Sequence, residues 1–259
     1  MADGNVATGL SQDDDVLSEV AAWRADGTNV ALATVVSTWG SSPRPVGSHL
    51  AVNENGKDIN IVVNGDYSNA FAYGDDTFAF GAGDGVTERN WAASLDVMAH
   101  EITHGVIVST SNLEYRNQSG ALNESFADFF GAALDPEDWL VGEDIFLAPD
   151  TFVRSLANPS AGGQPSHFAD FVYTAEDYGG VHINSGIPNR ALYLLAAGLS
   201  LESLGTSVGR ATAETLAFAT LRALDRNATF NDAAAMMQSI AESLYGVASV
   251  EADAVVGLQ

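Results

Sequence analysis

Two histidines four residues apart constrain this chain more than any other feature: His100 and His104 in His100-Glu101-Ile102-Thr103-His104. At 3.6 residues per turn, such a pair stacks on one helix face, so both imidazoles reach a single ion if this stretch is helical. Glu101 then projects beside that ion. A zinc ion that supports hydrolysis takes three protein ligands and keeps one position open, so the pair needs a third donor. The segment Asn123-Glu124-Ser125-Phe126-Ala127-Asp128 offers Glu124 as that donor. Asp128, one turn further on, supplies a carboxylate of the kind that accepts the second N–H of a ligating imidazole and fixes its tautomer. A plain helix with two satisfied histidines would explain the pentapeptide but not the ordered carboxylates after it.

Charge removes other classes of function. The chain carries 34 acidic against 10 basic residues, net charge -24, and Lys57 is its one lysine. Such a surface repels nucleic acid and anionic membranes. Adaptation to high salt and a simple acidic, arginine-biased composition explain it equally well, and stability measured from low to molar salt separates the two. No apolar run approaches the roughly eighteen residues of a membrane span, and the N-terminus lacks the basic-then-apolar pattern of a signal peptide. Cysteine is absent, which leaves the redox compartment open. At 259 residues and 46% hydrophobic content the chain can bury a sizeable core in one or two domains.

The pattern along the chain predicts an α+β fold with the site where a β-rich part meets a helical one. Residues 1–15 are polar and end in Asp13-Asp14-Asp15, a flexible leader. A helix is expected over Val16 to Ala25 and a buried strand over Val30 to Ser37. A turn-rich loop over Gly40 to Gly47, a short strand from His49 to Val52 and a turn over Asn53 to Gly56 follow. Residues 59–80 read as β-hairpins. Helices are expected around His100 to His104 and over Gly120–Leu134, Ser185–Gly198, Ser207–Asp225 and Asp232–Tyr245. Asn231-Asp232 marks a helix start, and Gly198 and Gly246 mark stops. The domain reading is an atypical piece over 1–56 and a catalytic region over 57–259, β-rich in 57–87 and helical in 88–259.

Four blocks in order carry a resemblance: Asn69-Ala70-Phe71, Asp96 to Gly105, Asn117 to Glu124 and Gly179 to Gly186. Through them, residues 57–259 resemble the thermolysin-like zinc endopeptidases, also called neutral proteases. The resemblance implies hydrolysis of protein or peptide substrates with zinc on His100, His104 and Glu124. It makes Glu101 the general base, Tyr115 and His182 donors to the developing oxyanion, and Asp177 the carboxylate that orients His182. Asn69 and Ala70 correspond to the edge strand that pairs with extended substrate, and Arg154 to an arginine that contacts a substrate carbonyl. A bulky apolar residue just after the cut is implied, with Val97 and Val153 along its pocket. Glu88 stands where the family usually has an aromatic, which leaves the pocket's depth open. The resemblance also implies calcium on Asp96, Asp135, Asp138 and Glu143, reduced from a double site because Leu140 replaces a carboxylate. Extracellular location and a monomeric state are further implications; no pro-segment is recognised here.

The N-terminal part differs. Ala31 to Gly47, with Ser37-Thr38-Trp39-Gly40-Ser41-Ser42-Pro43-Arg44-Pro45, resembles the N-terminal segment of the xanthine dehydrogenase accessory protein family over about residues 16–52. Fusion and coincidence are the competing explanations, and no cofactor function is inferred. Three functions therefore stand: a zinc endopeptidase, a zinc- and peptide-binding module impaired by its N-terminal wall, and a molybdenum-cofactor binder motivated by residues 31–47.

Overall fold

The computed structural model describes residues 30–34, 49–53, 60–73, 77–198 and 207–256. The leader, the helix expected over Val16 to Ala25 and the loop over Gly40 to Gly47 lie outside them. Strands β1 (Val30–Thr34) and β2 (His49–Asn53) pair antiparallel, Val30 opposite Asn53 and Thr34 opposite His49. Strands β3 (Asn60–Gly65), β4 (Ala70–Tyr73) and β5 (Thr77–Gly81) form a sheet in the order β3-β5-β4. Only β4 and β5 make a hairpin; β3 runs parallel to β5, so the expected run of hairpins is corrected to one hairpin with a parallel neighbour. The alternating sequence carries the strands but not their order, because pairing partners are chosen by tertiary packing. β4 is left at the sheet's edge.

Helix α1 (Leu95–Ser109) packs on helix α2 (Asn117–Leu134). Ile107, Phe126 and Phe129 are fully or almost fully buried with Phe78 and Phe80 of β5, so helices and sheet share a core. A methyl group on Gly105 would stand 2.9 Å from the Phe78 ring, closer than carbon atoms tolerate. Glycine directly after His104 therefore lets the sheet close on the histidine-bearing helix.

Strands β6 (Leu140–Val141) and β7 (Arg154–Ser155) pair as a short ribbon. Helices α3 (Asp177–Asn184), α4 (Gly186–Ala197), α5 (Arg210–Ala223), α6 (Phe230–Tyr245) and α7 (Val250–Val256) follow. Gly198 and Gly246 end α4 and α6 with positive φ, as their positions predict. The start of α6 is corrected by two residues. Thr229 is the N-cap, its hydroxyl accepting from the Asp232 amide while the Asp232 carboxylate accepts from the Thr229 amide. Thr229→Ala is expected to cost about 1 kcal/mol, read as a lower denaturant midpoint at unchanged m-value.

Candidate metal centre and active-site cleft

The helix periodicity of α1 places both histidine rings on one face, centroids 4.7 Å apart and edge to face. Their Nε2 atoms are 3.0 Å from each other. Glu124 of α2 meets them: Oε2 is 3.5 Å from His100 Nε2, and Oε1 is 3.5 Å from His104 Nε2. One ligand atom from each residue falls within 4.8 Å of the others. Two imidazole nitrogens facing one another with a carboxylate between them is a donor set in want of a cation. Glu124 Oε2 is buried and has no hydrogen-bond partner, which fits the same gap. The residues present therefore suit a tetrahedral N,N,O site for zinc.

Behind the rings, each imidazole has its own anchor. His100 Nδ1 lies 2.9 Å from Asp128 Oδ1, a charge contact too bent for a well-aligned hydrogen bond. His104 Nδ1 lies 2.7 Å from Asn123 Oδ1. Asn123 is a positioning residue that the reading of the sequence passed over, although it stands next to Glu124 and a second anchor was required by symmetry of role. Asp128 is itself fully buried and held by Arg154, whose Nε donates at 2.8 and 2.9 Å and whose Nη2 donates at 2.7 Å, and by Asn189 Nδ2 at 2.8 Å. The structure thus gives Arg154 a principal partner that the sequence did not suggest: two of its nitrogens are committed to Asp128. It still lines the cleft.

Electrostatics follow from this packing. Burial alone would raise the Asp128 carboxyl, but the Arg154 guanidinium and His100 overcome it and hold it well below the usual carboxylate range. Burial likewise opposes ionisation of Glu124, yet His104, His100, His182 and Arg154 bring it to about 2, so it is anionic. Burial lowers His104 to about 4, leaving a neutral ring with a lone pair for a metal. Glu101 is 7% exposed, and its removal from water raises its carboxyl above the ordinary value. That shift suits a group that must take up a proton. Asp128→Asn is expected to weaken zinc binding by about 10- to 100-fold while leaving one site per chain, measured by competition with a chromogenic chelator.

Tyr115, in the segment between α1 and α2, donates its hydroxyl to Glu124 Oε1 and stands 3.1 Å from His182 Nε2. His182 Nδ1 lies 2.6 Å from Asp177 Oδ1, and the His182 amide donates to Asp177 Oδ2 at 2.8 Å. An ionised carboxylate only accepts, so Nδ1 carries a proton and Nε2 is the atom turned toward Tyr115. A methyl on Gly120 would stand 2.4 Å from Val181, so this glycine lets α3 bring His182 against α2. These groups line a cleft of about 830 Å³ together with Asn69, Ala70, Val97 and Val153. Asn69 precedes the free edge of β4, and its carbonyl accepts from Gly81.

The four residues expected to hold calcium are not gathered as a set. Asp135 and Glu143 come together, but their neighbour is Asp144. The Asp96 carboxylate is taken by the amides of Val97 and Gly142 and the Ser94 hydroxyl, and Asp138 accepts from the Leu140 amide at 2.7 Å. Spacing alone could not separate ligating carboxylates from those that cap local backbone. Glu143 is raised to about 7 by burial and by Asp96, as expected for acids crowded without a counter-charge.

The family described as thermolysin metallopeptidase, alpha-helical domain, matches residues 111–257, more than half of the chain. The chain belongs to the thermolysin metallopeptidase family. The catalytic-domain description of the same family matches residues 48–108. The extracellular elastase of Staphylococcus epidermidis is 46% identical over 184 residues, covering 70% of this chain and 34% of that protein. Bacillolysin of Bacillus amyloliquefaciens is 43% identical over 208 residues, covering 77% of this chain and 38% of its own length. The chain thus spans about a third of the length of these curated relatives. The structure titled precursor of protealysin, a metalloproteinase from Serratia proteamaculans, superposes with a TM-score of 0.66 at 28% identity, over 98% of this chain and 80% of that one. The XdhC and CoxI family matches residues 23–66, which overlaps the catalytic-domain match and extends past the expected end at residue 52. Among the described residues no helix is long and apolar enough to cross a membrane.

Proposed function

We propose that this chain is a zinc-dependent endopeptidase with Glu101 as its general base. The observation that carries the reading is the convergence of His100, His104 and Glu124 at the floor of a large cleft, with a buried carboxylate, Glu101, of raised proton affinity among them. Zinc on those three ligands would polarise the scissile carbonyl and bring water into the range where it attacks at neutral pH. Glu101 takes the proton that the attacking water sheds and returns it to the departing nitrogen. Tyr115 and His182 donate to the oxygen that gains charge, from a position beside Glu124 where water is scarce and such bonds count for more. Asp177 holds His182 by two bonds, so the donor is placed before substrate arrives.

Extended peptide adds as a strand along the free edge of β4 at Asn69 and Ala70, and the apolar walls at Val97 and Val153 receive a bulky apolar side chain after the cut. Arg154 acts chiefly on Asp128 and has one nitrogen left for a substrate carbonyl. Asp135, Glu143 and Asp144 form a candidate calcium cluster, with oxygen donors of the right kind. The relatives' titles support an extracellular, monomeric enzyme acting on proteins, with the catalytic region over 57–259 and a separate piece over 1–56. The test is endoproteolysis: internal cleavage of casein by the purified chain, abolished by a zinc chelator, supports the reading. Intact casein with a fully loaded metal site favours the impaired binding module instead.

A further inference from the structure

Tyr178 stands out from the residues already given roles. It has φ 51° and ψ 30°, the left-handed region, within a run of four such residues: Asp177 (φ 49°), Tyr178, Gly179 (φ 95°) and Gly180 (φ 75°). Glycine tolerates that conformation and aspartate does so moderately, but a bulky ring rarely occupies it. The ring is not there to fill the core, because Tyr178 is 67% exposed. Strain at an exposed position beside a reacting site points to use.

Its surroundings say what use. The loop is fixed at both ends: the Gly179 and Gly180 amides donate to the Glu176 carbonyl at 2.9 and 3.0 Å, and Asp177 is tied to His182. The ring therefore projects in a set direction. It lines the cleft and meets the Tyr115 ring edge-on, centroids 5.7 Å apart at 66°. Tyr115 in turn reaches Glu124 and His182. One edge of Tyr178 is thus engaged and most of its area is free, a few ångströms from where a peptide bond would be cut.

We propose that Tyr178 is a specificity-determining residue: its ring forms an aromatic wall for an aromatic side chain on the peptide residue adjoining the scissile bond. The proposal rests on the peptidase reading. A rigid exposed ring recognises another ring at low cost in ordering, and edge-to-face partners are favoured over aliphatic ones.

The test uses peptides identical except for Phe, Ala or Arg at the residue on either side of the cut, with the zinc-loaded chain, Tyr178→Asn and Tyr178→Phe. Asparagine accepts the left-handed backbone, so loss of the ring is separated from loss of the fold. In Tyr178→Asn the Phe-over-Ala preference in kcat/KM is expected to fall about three- to tenfold through KM; Tyr178→Phe keeps it. An unchanged preference in Tyr178→Asn, or a larger loss for the Arg peptide, overturns the proposal. The same comparison is made as equilibrium binding in a Glu101→Gln background. If the parent cleaves no peptide, the peptidase reading fails, and the binding preference still decides the role of Tyr178.

Discussion

Glu101→Gln keeps one zinc per chain and lowers peptide turnover by about 10²- to 10⁴-fold. Glutamine matches the shape of glutamate but cannot accept and return a proton at neutral pH. Glu101 is nearly enclosed, so a bulk water molecule is poorly placed to substitute for it. Its carboxyl, raised by burial, competes for a proton better than an exposed glutamate would. The three ligands are untouched by the change. Metal content by elemental analysis and kcat on a furylacryloyl dipeptide are the paired measurements; full activity in the variant refutes the role given to Glu101.

Glu124→Gln is expected to have the second large effect, at the metal. The substitution removes the anion lying between two imidazoles and leaves a neutral amide oxygen, a weaker partner for a dication. It also strips the site of the charge that balances the nearby Arg154 and the histidines. The loss of zinc affinity exceeds the about 10- to 100-fold set for Asp128→Asn, because Glu124 would bind the ion directly while Asp128 acts through His100. Activity is restored only at zinc concentrations far above those that saturate the parent. Titration of each variant with a zinc-buffered series measures both. Equal affinity in Glu124→Gln and the parent would move the third ligand elsewhere.

Much of this centre was readable before any coordinates. Helical spacing alone brings His100 and His104 to one face, and the same spacing puts Asp128 one turn beyond Glu124, so local geometry sufficed for what α1 and α2 each present. What it could not show was contact between elements distant in sequence. Arg154 reaches Asp128 across 26 residues and Asn189 reaches it across 61. The parallel pairing of β3 with β5 is equally non-local. Asn123 was within view, one residue before Glu124, and its anchoring of His104 needed only the rule that a ligating imidazole has a partner on its other nitrogen. The Thr229-to-Asp232 capping box was also legible, since threonine followed three residues later by an acid is its pattern. Helix α3 was hidden for a physical reason: its first residues are left-handed, and no periodicity survives such a run.

Metal-dependent turnover at His100, His104 and Glu124 is the central claim, and one titration tests it most directly. Zinc is added in steps to the chelator-treated chain while bound metal and casein cleavage are followed in the same sample. The account predicts that cleavage rises in proportion to occupancy and levels off at one zinc per chain. Cleavage that is complete before any zinc is bound, or one tightly bound zinc with no cleavage, would contradict it.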